Sequence, residues 1–263
     1  MGFFDEIRIN KLGQKAYNAH VQANDLNRRG RAAEAKAKFA EANELYAEAY
    51  AVGCRRTNIL MSYAVLLMRL GEFPKARELM KEVSAIGGMN EDTHFELRVN
   101  YSNCLWRMGI LDKAIETIVY AGKYKKNGAY YASLGTFLVD QAGQTGQESD
   151  FEAARELLDE AMDYDDEDAP TLDNYGEYYR LLSLRAEGEE AGELLAKSRE
   201  FYELAYKQKP NQITTLYALA KFAQADGDLQ RARELTDKAI MHSSSRVCPV
   251  SIEMLQELKA ELG

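Results

Sequence analysis

Proline is scarce, with four in 263 residues. A chain so poor in the residue that cannot donate a backbone hydrogen bond can run helical almost throughout, and abundant Ala, Leu, Glu, Lys and Arg favour that outcome. Cysteine is scarce too. Cys54, Cys104 and Cys248 are odd in number and far apart, which excludes a zinc-type pairing and argues against a disulfide framework. That usage fits a cytoplasmic protein with reduced thiols. The only histidines are His20, His94 and His242, and none stands in a metal-binding His-x-x-x-His pattern. Neither a Gly-rich phosphate loop nor a nucleophile elbow is present. No cofactor, no metal and no enzymatic activity are therefore expected.

Positive charge is also short, at 33 Lys and Arg against 42 Asp and Glu, a net charge of −9. This balance argues against nucleic acid or an anionic membrane as the main partner, although a local basic stripe still fits inside the acidic total. No uncharged apolar stretch is long enough to cross a bilayer. The beginning, Met1-Gly2-Phe3-Phe4-Asp5-Glu6, lacks a basic segment followed by an apolar run, so no signal peptide is expected. Glu6 stands where a myristoylation motif at Gly2 needs Ser or Thr.

Repetition is plentiful. Ala76-Arg77-Glu78-Leu79, Ala154-Arg155-Glu156-Leu157 and Ala232-Arg233-Glu234-Leu235 are evenly spaced, at about twice the period of a helix-pair repeat. A second pattern sets Gly five residues before Ala, at Gly30 and Ala35, Gly71 and Ala76, Gly109 and Ala114, and Gly227 and Ala232. Each Gly can take the left-handed conformation that ends one helix, and each Ala then marks a close contact inside the helix pair. Upstream of these turns, large and small residues recur at helical spacing, as in Leu60, Tyr63, Ala64 and Leu67, or Leu172, Tyr175, Gly176 and Tyr179.

At these residues the chain resembles the tetratricopeptide repeat (TPR) family. Leu134-Gly135 and Tyr175-Gly176 match that family's central pair in the first helix. Ala35, Phe39 and Ala42 match its second helix, as do Ala205 and the closing Pro210. The resemblance implies an all-α fold, a right-handed superhelical solenoid of about six helix pairs in a single domain. The pairs are expected at about 14–51, 56–86, 91–124, 127–164, 169–208 and 212–242. A capping helix at about 249–262, carrying Ile252, Leu255, Leu258 and Leu262, should cover the last apolar face. Polar stretches near 141–150 and 186–192 lengthen two turns, as loops or as helix extensions.

A TPR solenoid binds rather than catalyses. The expected function is a non-catalytic interaction module that takes an extended peptide or helix of another protein in its concave groove. Self-assembly into a homo-oligomeric scaffold is the alternative, and a small-ligand sensor a more distant one. Extrapolating the helical register, the groove face carries His20, Asn24, Asn27 and Arg28 in the first repeat. The second contributes Asn58, Met61, Val65, Met68 and Arg69, and the third Asn100, Asn103, Trp106 and Arg107. Asn can bond a peptide backbone as donor and acceptor, and arginine's planar fork suits carboxylates. Arg28, Arg69 and Arg107 share one register and would stack as a ladder. Trp106 is either a groove anchor or part of a packing seam.

Some TPR proteins clamp a peptide's terminal carboxylate with basic and amide groups. Asn24 and Asn100 match that pattern, whereas Glu96 carries the opposite charge to the Lys it uses. Farther along, Asp140, Asp173, Asn174, Glu177, Arg180, Tyr217 and Lys221 continue the same face. The acidic run Asp159–Asp168 lacks the Gly and the alternation of a calcium loop and reads as a solvated helix end.

Overall fold

The computed structural model describes residues 3–243 and 245–263, the side chains of residues 3–6 excepted. Gly2, considered above for acylation, lies outside the described residues. Among these residues the chain forms thirteen α-helices and no strand. They are α1 (Phe3–Arg28), α2 (Ala32–Ala51), α3 (Thr57–Arg69), α4 (Phe73–Ile86), α5 (Glu91–Arg107), α6 (Leu111–Ala121) and α7 (Gly128–Thr145). There follow α8 (Glu148–Tyr164), α9 (Ala169–Ser183), α10 (Gly188–Gln208), α11 (Ile213–Ala225), α12 (Leu229–His242) and α13 (Ile252–Leu262). Two compact units result, one of Met1–Thr93 with Ser244–Val247 and the other of His94–Ser243 with Cys248–Gly263.

In the first unit, α1 and α2 close on a stripe of small residues. Ala16, Ala19 and Ala23 of α1 share one core cluster with Ala35, Phe39, Ala42, Tyr46 and Ala49 of α2. Alanines spaced three and four apart let the two backbones approach, and the aromatic rings fill the space left between them. The turn between the helices is set by Gly30 at φ 72°. Its N–H bonds the carbonyl of Asn27 and the next N–H reaches Leu26, the paired bonds of a Schellman ending. Gly71, Gly109 and Gly227 repeat this pattern with positive φ, so the four Gly-to-Ala spacings in the sequence are four helix-hairpin turns. The alanines that follow them, Ala35, Ala76, Ala114 and Ala232, are all buried.

In the second unit three apolar clusters follow in chain order. The first joins α5, α6, α7 and α8, the second α7, α8 and α9, and the third α10 to α13. The repeated Ala-Arg-Glu-Leu tetrapeptides fall on α4, α8 and α12, the second helix of each hairpin, with Ala and Leu buried in every copy. Both polar insertions are helical extensions. The first is the end of α7, which runs to Thr145 and stops at Gly146 in the left-handed conformation. The second is the start of α10 at Gly188. Ser251 caps α13 by accepting from the Met254 N–H, and Leu255, Leu258 and Leu262 bury into the last cluster.

Candidate functional site

In the first unit the structure separates the anticipated residues by burial. His20 faces the core, not an open surface. Its ring meets Phe39 and Tyr46 edge-on at 5.9 and 6.0 Å, and Nδ1 lies 3.5 Å from the Tyr46 hydroxyl. Burial, with the nearby Arg69 charge adding to it, pushes its pKa down to about 4, so the ring is neutral at pH 7. Met61 and Met68 are core residues as well. Arg69 lays its guanidinium over the Phe39 ring at 4.2 Å, and burial lowers its pKa from the usual arginine value. Arg28 is mostly exposed and sits 3.7 Å from Asp25 on its own helix. The two arginines thus share a register but not an environment: one is solvated and the other is held against an aromatic face.

The remaining residues of this set stay reachable. Asn24 and Asn27 of α1 are half-buried, while Asn58 and Val65 of α3 are exposed. No side-chain amide of Asn24, Asn27 or Asn58 is hydrogen-bonded to another described residue. Three amides with donors and acceptors uncommitted to the fold therefore lie on the first helices of the two hairpins.

In the second unit the first helices of successive pairs are joined by side-chain hydrogen bonds. Asn103 of α5 donates to Ser133 of α7 at 3.1 Å, and the Trp106 indole donates to Asp140 at 2.7 Å. Thr136 of α7 donates to Asn174 of α9 at 3.0 Å, and Asn174 donates back to the Ala132 carbonyl at 3.3 Å. Thr215 of α11 donates to Asp173. A polar seam thus runs across α5, α7, α9 and α11. Trp106 belongs to it as a packing residue, its ring 5.6 Å from Phe137 and partly exposed. Arg107 lies over the Trp106 ring at 5.6 Å, and the Asn100 amide donates to the Glu96 carbonyl in its own helix.

Burial raises the Asp173 pKa to about 6, with Glu177 adding, against hydrogen bonds from Thr215, Thr214 and Gln212. Glu177 is bridged by Arg180 at 2.6 and 2.7 Å and accepts from Tyr202 at 3.0 Å. Lys221 pairs with Glu261 at 3.5 Å. Ser133, Thr136 and Thr215, which complete the seam, carry no signal in a single sequence. Small hydroxyl residues at helical spacing become meaningful only once their partners on the next helix are known.

The other chemical candidates are structural. Cys54 and Cys104 are buried, and burial pushes the half-buried Cys248 thiol upward. In the acidic run, Asp159 accepts from Arg155 and Tyr175, Glu160 from Lys126 and Tyr131, and Asp168 caps α9. Among the described residues no group of three His, Cys, Asp or Glu side chains could hold a metal ion. No helix among them is long and apolar enough to cross a membrane.

No family model and no curated protein matches the chain. Solved structures do. A Thermus thermophilus TPR protein, TTC0263, superposes with a TM-score of 0.60 at 17% identity, covering 79% of this chain and 98% of its own. The human IFIT1 dimer with m7Gppp-AAAA gives 0.61 at 16% identity, over 84% of this chain and 48% of that one. Cut9 in the Cut9–Hcn1 hetero-tetramer gives 0.57 at 13% identity, over 97% and 48%. The chain spans about half the length of the latter two, and at these identities the likeness is one of fold.

Proposed function

Because this chain has the fold of the tetratricopeptide-repeat proteins, we propose that it acts by binding another protein rather than by catalysis. The partner contributes an extended segment or a helix, which lies along the first helices of the repeats. The uncommitted amides of Asn24, Asn27 and Asn58 carry this reading. An extended backbone offers alternating donors and acceptors, and a side-chain amide can satisfy one of each at once. Exposed Val65 supplies apolar contact beside them, and Arg28 a charge that its distant Asp25 only weakly engages. Within the first unit, His20, Met61 and Met68 would support that face from beneath, and Arg69 would fix it by its stacking on Phe39. In the second unit Asn100, Asn103, Trp106 and Arg107 would form a contact set of their own through their exposed edges.

The reading takes the chain as one domain of six helix pairs with α13 as its cap. It requires no cofactor and places the protein in the cytoplasm with reduced thiols. The net charge of −9 supports a protein partner over a nucleic acid.

Affinity capture from source-cell lysate with wild type and with an Asn24→Ala, Asn27→Ala, Asn58→Ala variant tests it. Since these amides bond no other described residue, the thermal melt should stay unchanged. Proteins recovered by the wild type should be depleted about tenfold or more, the loss expected from a few hydrogen bonds. Equal recovery by the variant would reject the face.

A further inference from the structure

The second unit carries a basic surface away from the polar seam. Arg98, Tyr101 and Leu105 of α5, Lys113 and Tyr120 of α6, and Lys123 of the turn that follows line an open trough. The Arg98 guanidinium and the Lys123 ammonium lie over the Tyr120 ring, 4.9 and 4.8 Å from its centroid. Val119 and Tyr120 are 49% and 41% exposed, a raised apolar edge on the trough.

This surface is short of counter-charge. Cations elsewhere in the unit are mostly paired, as Lys126 is with Glu160, Arg155 with Asp159 and Arg199 with Asp226. Arg98, Lys113 and Lys123 form no ion pair among the described residues. Glu116 also lines the trough but lies beyond ion-pair distance of all three. The Arg98 Nε is buried and has no acceptor. Cations gathered without a paired carboxylate repel one another, a cost that an anion from outside would relieve. In an acidic chain this local reversal of sign would also orient an approaching acidic partner.

We propose that this trough binds an acidic segment of a partner protein. Its carboxylates would face Arg98, Lys113 and Lys123, and a large apolar or aromatic side chain would cover Val119 and the exposed edge of the Tyr120 ring. Nucleic acid fits less well. The Tyr120 ring is already engaged by Arg98 and Lys123, which leaves little free face for a stacked base.

The test uses the full chain and a fluorescent peptide copying its own acidic stretch, Asp159–Asp168, which combines many carboxylates with Tyr164. A control peptide carries Asn and Gln in place of Asp and Glu. The acidic peptide should bind about tenfold or more tightly than the control, and more weakly as salt rises from about 50 to 300 mM. Lys113→Glu with Lys123→Glu should weaken it about tenfold with an unchanged melt, both side chains being exposed. Tyr120→Ala should weaken it too, and the Asn24, Asn27 and Asn58 substitutions should leave it alone. Absence of binding at millimolar peptide, equal binding of the control, or indifference to the Lys113 and Lys123 reversals would overturn the proposal. So would tighter binding of an oligoadenylate of matched charge.

Discussion

Two glycines inside helices of the second unit face opposite surroundings. A Cβ on Gly176 in α9 would stand 2.8 Å from the Tyr202 ring, while one on Gly192 in α10 would meet nothing within 4 Å. Gly176 lets α9 and α10 touch, and its carbonyl accepts from Ser198 at 2.7 Å across that contact. Gly176→Ala should therefore destabilise by about 1–3 kcal/mol through overpacking, whereas Gly192→Ala should stabilise by about 0.5–1 kcal/mol through helix propensity. Urea unfolding of the two variants measures both signs.

A buried histidine and a half-buried aspartate give opposite pH responses. The His20 pKa falls from an unfolded value of about 6.5 to about 4, so its stability is complete above 6.5 and is lost as pH falls toward 4. Asp173 is raised to about 6, so its neutral form is favoured in the fold and that stability is lost as pH rises through 6. Melts between pH 4 and 8 should show His20→Leu flattening the acid limb by about 2–3 kcal/mol. Asp173→Asn should raise stability by about 1–2 kcal/mol at pH 7 and not at pH 4. Unchanged profiles would contradict the desolvation of both side chains.

At the scale of single helices, much could be read in advance. The Gly-to-Ala spacing located four turns because left-handed glycine and a close-packed alanine are local demands, met within a few residues of chain. The face of each first helix was less legible. Register says which way Arg69 leaves its helix, but not that the guanidinium finds the Phe39 ring on α2. His20 looked polar and exposed, yet the alanine stripe beside it and Tyr46 opposite it draw the ring inside. Register put Asn103, Trp106, Asp140, Asp173 and Asn174 of the polar seam on one face, but neither their hydroxyl partners nor the bonds themselves, since each bond joins residues some thirty to forty positions apart.

The capping helix was legible from its Leu spacing, and it makes its own prediction. Leu258 is 2% exposed in the last cluster, so Leu258→Ala should cost about 2–5 kcal/mol for lost transfer and a residual cavity. Loss of protection in α11 and α12, seen by hydrogen exchange, would locate that cost; no change there would mean α13 is not a cap.

At the scale of the whole molecule, each apolar cluster draws on helices adjacent in the chain, as in the one joining α5 to α8 or the one joining α10 to α13. Stability in such an array is nearly a sum of local terms and nearest-neighbour interfaces, so damage should stay where it is made. The chain divides into two compact units, which sharpens the expectation. In Gly176→Ala, amide exchange should quicken first in α9 and α10, whose contact the added methyl group disturbs, and then in α8 and α11. The α1 and α2 amides should keep their wild-type rates, because their protection arises from the Ala16, Ala19 and Ala23 stripe against Ala35, Ala42 and Ala49. Hydrogen exchange followed by mass spectrometry reads each helix separately. An equal loss across all thirteen helices would instead require cooperative coupling throughout the chain, and the same result would undercut the view that partner contacts on the first unit can be altered without disturbing the basic trough of the second.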